Sequence, residues 1–372
     1  MKIRSLKIDG FKNLKKVEII PSEKTNIIFG ENAQGKTNII EAIWLCSGVK
    51  SFRGTKDKGF IDINGERAEI EVTFETSFRT QKIKIACAKP VVRDKNVFLN
   101  GVKLKALSKL FGQLNCVVFT PEDLELSKGS PDNRRSFIDL CISQIKNSYG
   151  EVISKYETIL QQRNALLKNI AFGSSKREDL EIWDIQLARL GSYISMLRYN
   201  YAKKLGLYTD ELYKKISSGR ERLELVYNST VFDNLEGRED FGGEMAEEYL
   251  KRLNENFSDD VKSGFTQVGV HRDDLITNID GLNSREFGSQ GQNRSVALVM
   301  KLAQAYILYG ETGEEPVILL DDVLSELDYS RQNFVKSQIE KFQIFITCCK
   351  KPSETYENQK LFMVSKGTVK SL

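Results

Sequence analysis

The chain has 372 residues, 40% apolar and 28% charged, with 55 Lys and Arg against 51 Asp and Glu. That balance fits a folded chain of two or three units and excludes a disordered one, and no apolar run approaches the ~18 residues of a membrane span. A single histidine, His271, excludes any site built on two imidazoles, and six cysteines without C-x-x-C spacing fit neither a zinc ribbon nor a disulfide framework, which points to a reducing cytoplasm.

The net charge of +4 is unevenly spread: residues 1–130 carry +8 and the remainder −4. A basic first third is compatible with a polyanionic partner and equally with an ordinary solvated face. The opening residues, Met1 to Asp9, place a charge at every second or third position, so they are no secretory signal.

Thr25-Asn26-Ile27-Ile28-Phe29 reads as a short strand. It runs directly into Gly30-Glu31-Asn32-Ala33-Gln34-Gly35-Lys36-Thr37 and then into an apolar helix beginning at Asn38. G-x-x-x-x-G-K-[ST] between a strand and a helix is a phosphate-binding loop. Its glycines let successive backbone amides turn toward phosphates at the positive end of a helix. Lys36 supplies a point charge to the β- and γ-phosphates and Thr37 a hydroxyl to Mg²⁺.

Short strands follow. Ile70, Val72 and Phe74 alternate with polar residues, as do Ile83 and Ile85, and Asn64-Gly65 and Asn100-Gly101 are hairpin-turn signals. No proline occurs from 132 to 315, and from about 147 the period becomes helical. Ile153, Tyr156, Leu160 and Leu167 mark one helix, ending near Phe172-Gly173-Ser174-Ser175. Trp183, Leu187, Leu190, Ile194, Leu197, Tyr201, Leu205, Tyr208 and Leu212 mark a second, about 45 Å long. The pair reads as a helical subdomain packed through its apolar face rather than a long protruding arm.

After 264 strand and helix signals return together. Ser289-Gln290-Gly291-Gln292-Asn293-Arg294-Ser295 precedes an apolar helix. Pro316-Val317-Ile318-Leu319-Leu320 is a buried-strand pattern ending in Asp321-Asp322, and Ser325-Glu326-Leu327-Asp328 follows it. Carboxylates at the carboxyl end of a parallel strand, beside a phosphate loop, suit a metal and a water: Asp321 for the Mg²⁺ shell, Asp322 to position or deprotonate the attacking water. Phe342 to Ile346 is another buried strand. The expected architecture is α/β: a P-loop ATPase head built from both chain ends (1–130 and 262–372), interrupted by a mainly helical insertion (131–261).

In order and spacing, Ser289–Ser295 and Ser325–Asp328 resemble the signature and D-loop of ABC-type ATPase heads, and Gly10-Phe11-Lys12-Asn13-Leu14 is similar to the opening of SMC-type ATPases. With Gly30–Glu41, Ser51-Phe52-Arg53, Val118–Leu124, Gly269–Leu275 and Leu320–Asp328, the chain resembles the RecF family of bacterial recombination mediators over nearly its whole length. The resemblance implies an ATP-dependent DNA-binding protein that forms a homodimer on ATP, hydrolyses it slowly with Mg²⁺, and acts with RecO and RecR to load recombinase at single-strand gaps and duplex junctions. Lys36, Asp321 and Asp322 would then carry the hydrolytic roles. Gly30 to Asn38 and Arg53 would hold nucleotide in cis, Ser289 and Gly291 would reach it in trans, and Asp328 would be the D-loop acid.

Some positions depart from the ABC pattern. Thr347 stands where transporter-type heads carry a switch histidine, Pro121-Glu122-Asp123 occupies the neighbourhood of the Q-loop glutamine, and Asp322 is one methylene shorter than the usual Glu. Val270 precedes His271 where a proline is common, and His271-Arg272-Asp273 reads as a structural or interface element. DNA contacts are expected through phosphates, salt-sensitive and largely independent of sequence. Lys50, Arg53, Lys56, Lys58 and Arg134-Arg135 are the candidates, the last pair being equally a solvated helix start. The alternative functions are an ABC transporter ATPase subunit and a scaffold that binds ATP without hydrolysing it.

Overall fold

The computed structural model describes residues 1–55, 57–89, 95–238, 242–351 and 358–372, the side chains of Asp57 and Lys58 excepted. It divides into two units: residues 1–125 with 297–372, and residues 126–296.

The first unit is built on a six-stranded sheet in the order Thr368–Ser371, Gln359–Ser365, Thr25–Phe29, Ile344–Cys348, Val317–Leu320, Cys116–Phe119. All neighbours pair in parallel except the first two strands. Three of these strands are buried at every residue, which is why their apolar residues run consecutively instead of alternating, with only Thr25 and Asn26 polar. The helix Lys36–Cys46 leaves the phosphate-loop strand, and Ile39, Ile40, Ala42, Ile43 and Leu45 are fully buried along it.

A second, antiparallel sheet runs Leu14–Ile19, Lys2–Phe11, Arg67–Glu75, Thr80–Ala88, Asn96–Leu99, Val102–Leu104. Here the side chains alternate: Ala68, Ile70, Val72 and Phe74 point into the core between exposed and half-buried polar residues. Asn100-Gly101 makes the expected two-residue turn, both residues at positive φ (50° and 83°) as a type I′ turn requires. Asn64-Gly65 does not make a hairpin. It belongs to a turn closed by the Gly65 amide on Asp62 O at 2.9 Å, leading into Arg67–Glu75.

The second unit holds the helices Pro131–Ile145, Tyr149–Ala171, Glu181–Ile216, Glu244–Glu255 and Phe257–Ser263. The predicted stripe packs: Leu187, Ile194, Tyr201, Leu205 and Leu212 are buried, while Tyr208 is 38% exposed. Arg163, fully buried, joins three helices by pairing with Asp184 at 2.6 Å and Asp260 at 2.7 Å.

The insertion is larger and less helical than the sequence suggested. Leu223–Asn228, Asp274–Ile279 and Leu282–Asn283 form a three-stranded antiparallel sheet, with Asp274 opposite Asn228 and Ile279 opposite Leu223. That pairing assigns residues 262–296 to the second unit, not to the head, and the head gives up residues 126–130 as well. The helix Gln290–Thr312 carries the chain from one unit into the other. No helix among the described residues is long and apolar enough to cross a membrane.

Candidate nucleotide site

The phosphate-loop strand and the acidic strand are separated by one strand, Ile344–Cys348, and all three end on the same side. The carboxyl ends of parallel strands are where α/β sheets place ligands. Gly30, Ala33 and Gly35 all take positive φ (156°, 62° and 115°), which opens the loop so that its amides face inward. A side chain at Gly35 would meet Leu14 Cδ2 at 2.7 Å. Lys36, 4% exposed, donates to Gly30 O at 2.8 Å, Glu31 O at 3.0 Å and Asn32 Oδ1 at 3.4 Å. Gln34 Oε1 accepts from the Lys366 amide at 2.6 Å, tying the loop to the C-terminal hairpin.

One carboxylate oxygen gathers the three strand ends. Asp321 Oδ1 accepts from Thr37 Oγ1 at 3.0 Å and from Thr347 Oγ1 at 2.9 Å. The Thr347 hydroxyl accepts in turn from the Asp322 amide at 2.8 Å. Burial pushes the Asp321 carboxyl above its ordinary range, opposed by the two hydroxyl hydrogen bonds, and the neighbouring Asp322 adds to the upward push. A buried carboxylate of this kind gains from a cation. Hydroxyl and carboxylate oxygens are the hard donors that Mg²⁺ prefers, and the ion takes few of them from protein when phosphates complete its shell. The donor set therefore fits Mg²⁺ with a nucleotide triphosphate.

Other predicted residues fall around this centre. Asn38, in the first turn of the helix, donates to Asn13 Oδ1 at 2.7 Å and accepts from Arg53 Nη1 at 3.2 Å. Asn13, which sequence reasoning assigned no role, donates to Ala33 O at 3.0 Å and so braces the loop from the first hairpin. Its only signal was the Gly10–Leu14 segment. In the Q-loop neighbourhood Pro121–Glu125 is a short 3₁₀ helix, and Asp123 is committed to the Thr120 amide (2.8 Å) and Lys301 (3.2 Å). Asp328 caps the helix Tyr329–Ile339 by accepting from the Arg331 amide at 3.0 Å. That hydrogen bond, with the Arg331 guanidinium, holds its carboxyl below the usual range.

Within the second unit, Ser289 and Gln292 form a reciprocal cap: the Gln292 amide donates to Ser289 Oγ at 3.2 Å and the Ser289 amide to Gln292 Oε1 at 2.8 Å. Ser289 is exposed and Gly291 half-buried, so this helix N-terminus is open to solvent. Arg134 is not the exposed cation that the sequence offered for a phosphate contact. It is buried, forks onto Asp274 with two 2.8 Å hydrogen bonds, and donates to Gly129 O at 2.7 Å. Arg135 donates to Asp273 O at 2.6 Å. Lys50 and Arg53 are exposed, whereas Lys56 and the Lys58 side chain lie outside the described residues. His271 is half-buried, with Nδ1 on Tyr156 Oη at 2.9 Å and Nε2 on Thr266 O at 2.9 Å, and burial lowers its pKa to about 4. Asp273, fully buried, accepts from Thr230 and Tyr227. The His271–Asp274 segment is thus a structural clamp of the second unit.

A parallel sheet with a phosphate loop and paired acids at its carboxyl edge, joined to an antiparallel sheet, defines an ABC-type ATPase head of the SMC kind. The head of Smc bound to the C-winged helix domain of ScpA shares this fold at 18% identity and a TM-score of 0.57. The profile of the family described as "RecF/RecN/SMC N terminal domain" matches residues 2–370. The "DNA replication and repair protein RecF" of Alkaliphilus oremlandii is 38% identical, covering 99% of this chain and 100% of its own length. A solved structure, "the recombination mediator protein RecF-ATPrS in RecFOR pathway", is 37% identical with a TM-score of 0.92, covering 100% of this chain and 98% of its own. The chain belongs to the RecF family of DNA replication and repair proteins.

Proposed function

We propose that the chain is an ATP-gated DNA-binding protein of recombinational gap repair. Two copies associate when ATP is bound and close on DNA, and slow, DNA-stimulated hydrolysis of ATP to ADP and phosphate reopens them. The observation that carries this reading is the single Asp321 oxygen shared by Thr37 and Thr347, with Asp322 on the next residue. Mg²⁺, when bound, supplies charge neutralisation between the phosphate oxygens. Lys36 with the loop amides, from Gly30 to Asn38, binds and orients the phosphates. Thr37 and Asp321 would hold the metal, and Asp322 receives the proton of the attacking water.

The exposed N-terminus at Ser289 and Gly291 suits a γ-phosphate carried by a second copy, where a hydroxyl and helix amides reward the triphosphate and not the diphosphate. Asp328 is the D-loop acid of that same interface. Association of this kind is linked to ligand by mass action, so nucleotide sets the dimer population. DNA, duplex or at single-strand junctions, is bound through phosphates; of the two exposed candidates, Lys50 and Arg53, Lys50 is the one not also assigned to nucleotide. That the solved relative belongs to the RecFOR pathway supports RecO and RecR as partners. None of the six cysteines is disulfide-bonded, which supports a reducing compartment such as the cytoplasm.

Sedimentation and duplex binding with ATP, ADP or no nucleotide test the proposal on wild type, Lys36→Arg and Ser289→Arg. Wild type dimerises and holds DNA with ATP alone. Ser289→Arg binds ATP as a monomer. Dimerisation and DNA binding that ignore nucleotide sink the reading.

A further inference from the structure

The segment after the phosphate-loop helix, Ser51 to Thr55, is fastened to that helix by a buried charge. Glu41 lies within the helix and is fully buried. Its Oε1 accepts from Ser51 Oγ at 2.5 Å, and its Oε2 is ion-paired with the Lys12 ammonium, which also donates to Thr55 Oγ1 at 3.1 Å. Ser51 Oγ accepts in turn from the amides of Arg53 at 3.2 Å and Thr55 at 3.3 Å. One helical turn on from Glu41, Trp44 Nε1 donates to Lys50 O at 3.0 Å, so the segment is anchored at its start as well.

The product of this anchoring is the placement of one exposed cation. Arg53 Nη1 donates to Asn38 Oδ1 at 3.2 Å, and Asn38 leads through Asn13 to Ala33 in the phosphate loop. Asn38 stands in the first turn of the helix, next after Lys36 and Thr37, so the guanidinium bonded to it lies at the phosphate-loop end of that helix. An apolar residue would fill position 41 with less desolvation, since a buried carboxylate is costly even when paired. The ion pair makes sense as a device that fixes geometry, as preorganised charge in a nucleotide site must be fixed before the reaction.

We infer that Glu41, together with Lys12 and Ser51, positions Arg53 so that its guanidinium meets the terminal phosphates of a nucleotide held by the phosphate loop. Glu41 and Lys12 act through Ser51 and Arg53 and touch no nucleotide themselves. The inference rests on the ATP-site reading above, deepens it, and has a separate failure.

The test is a set of double-mutant cycles on the full chain, with kcat, KM and equilibrium ATP affinity measured beside thermal stability. Glu41→Gln keeps the volume of the side chain, and Ser51→Ala removes only the bridging hydroxyl, so it stays informative if Glu41→Gln fails to fold. Each is expected to lower kcat about tenfold while leaving ATP affinity within about threefold. Neither should lower kcat further in an Arg53→Ala background, because the residue they aim is gone. Losses that multiply with that of Arg53→Ala, or that track stability alone, overturn the inference. Lys36→Ala separates the two claims: it should abolish ATP binding, and wild-type affinity in that variant overturns the site reading itself.

Discussion

The amide of Asp322 donates to the hydroxyl of Thr347 at 2.8 Å, and Asp322 itself stands in the left-handed region at φ 51°. The residue at the position of a switch histidine is therefore a backbone anchor for the acid assigned to water. Thr347→Val keeps the shape and removes the hydroxyl, leaving a buried amide and a carboxylate oxygen each short of a partner, at a cost of about 1–3 kcal/mol. Hydrolysis should fall about tenfold with ATP affinity little changed, and Thr347→Ser should restore it. Steady-state ATPase assays with parallel binding decide this, and an unchanged rate in Thr347→Val refutes it. Asp322→Asn suits the same backbone, since Asn tolerates the left-handed region, and should trap the ATP-bound dimer.

Two glycines in the 36-residue helix Glu181–Ile216 should respond to alanine with opposite signs. A Cβ at Gly206 meets nothing closer than Leu225 O at 3.7 Å, so Gly206→Ala should stabilise by about 0.5–1 kcal/mol through helix propensity. A Cβ at Gly191 lands 2.2 Å from Tyr249 Cε2, and Tyr249 is fully buried. Gly191→Ala should therefore destabilise by about 1–3 kcal/mol. Urea melts of the two variants measure both, and equal signs contradict the packing described.

Arg134 and Asp274 form a buried fork between a helix and a strand of the second unit. Removing one partner strands a buried charge, so Arg134→Met or Asp274→Ala alone should cost about 3–5 kcal/mol. The double variant should cost clearly less than the sum. Denaturant titrations of the three proteins form the cycle, and simple additivity shows that the pair does not interact.

His271 gives stability a pH dependence of known sign. Thr266 O can only accept, so Nε2 carries the proton and Nδ1 accepts from Tyr156; the native ring is neutral. Burial lowers its pKa to about 4 from 6.5, so between those values the unfolded chain binds a proton that the native chain refuses. The contribution is complete above about pH 6.5 and is lost as pH falls toward about 4. For a half-buried ring the loss is about 1–2 kcal/mol. Unfolding free energies of wild type should fall more steeply from pH 7.5 to 4.5 than those of His271→Gln; parallel profiles exclude the histidine as the cause.

The phosphate loop, the acidic strand and the alternating strands were legible because each is a local pattern: a fixed spacing, an apolar run, a period of two. What the sequence hid was long-range pairing. Leu223–Asn228 lies far along the chain from its partner Asp274–Ile279, and neither carries a sign of the other, so the boundary at 262 fell inside what is one sheet. Arg134-Arg135 looks like a phosphate grip in sequence, and only the fold reveals that Asp274 already occupies Arg134. Thr347 was visible as a substitution, but its hold on Asp322 depends on the order of three strands. Glu41 follows the phosphate-loop motif at a helical position where an apolar residue would serve as well, and only the fold brings Lys12 and Ser51 to it.

The phosphate-loop strand has one further consequence, in time. Both of its neighbours in the sheet, Ile344–Cys348 and Gln359–Ser365, come from the far end of the chain, and Asn26 donates to a carbonyl 318 residues away. Chains leave the ribosome N-terminus first, and pairing across so long a loop is slow to close. Until both of those later strands have been made, the nascent polypeptide carries the loop sequence without the sheet that positions it.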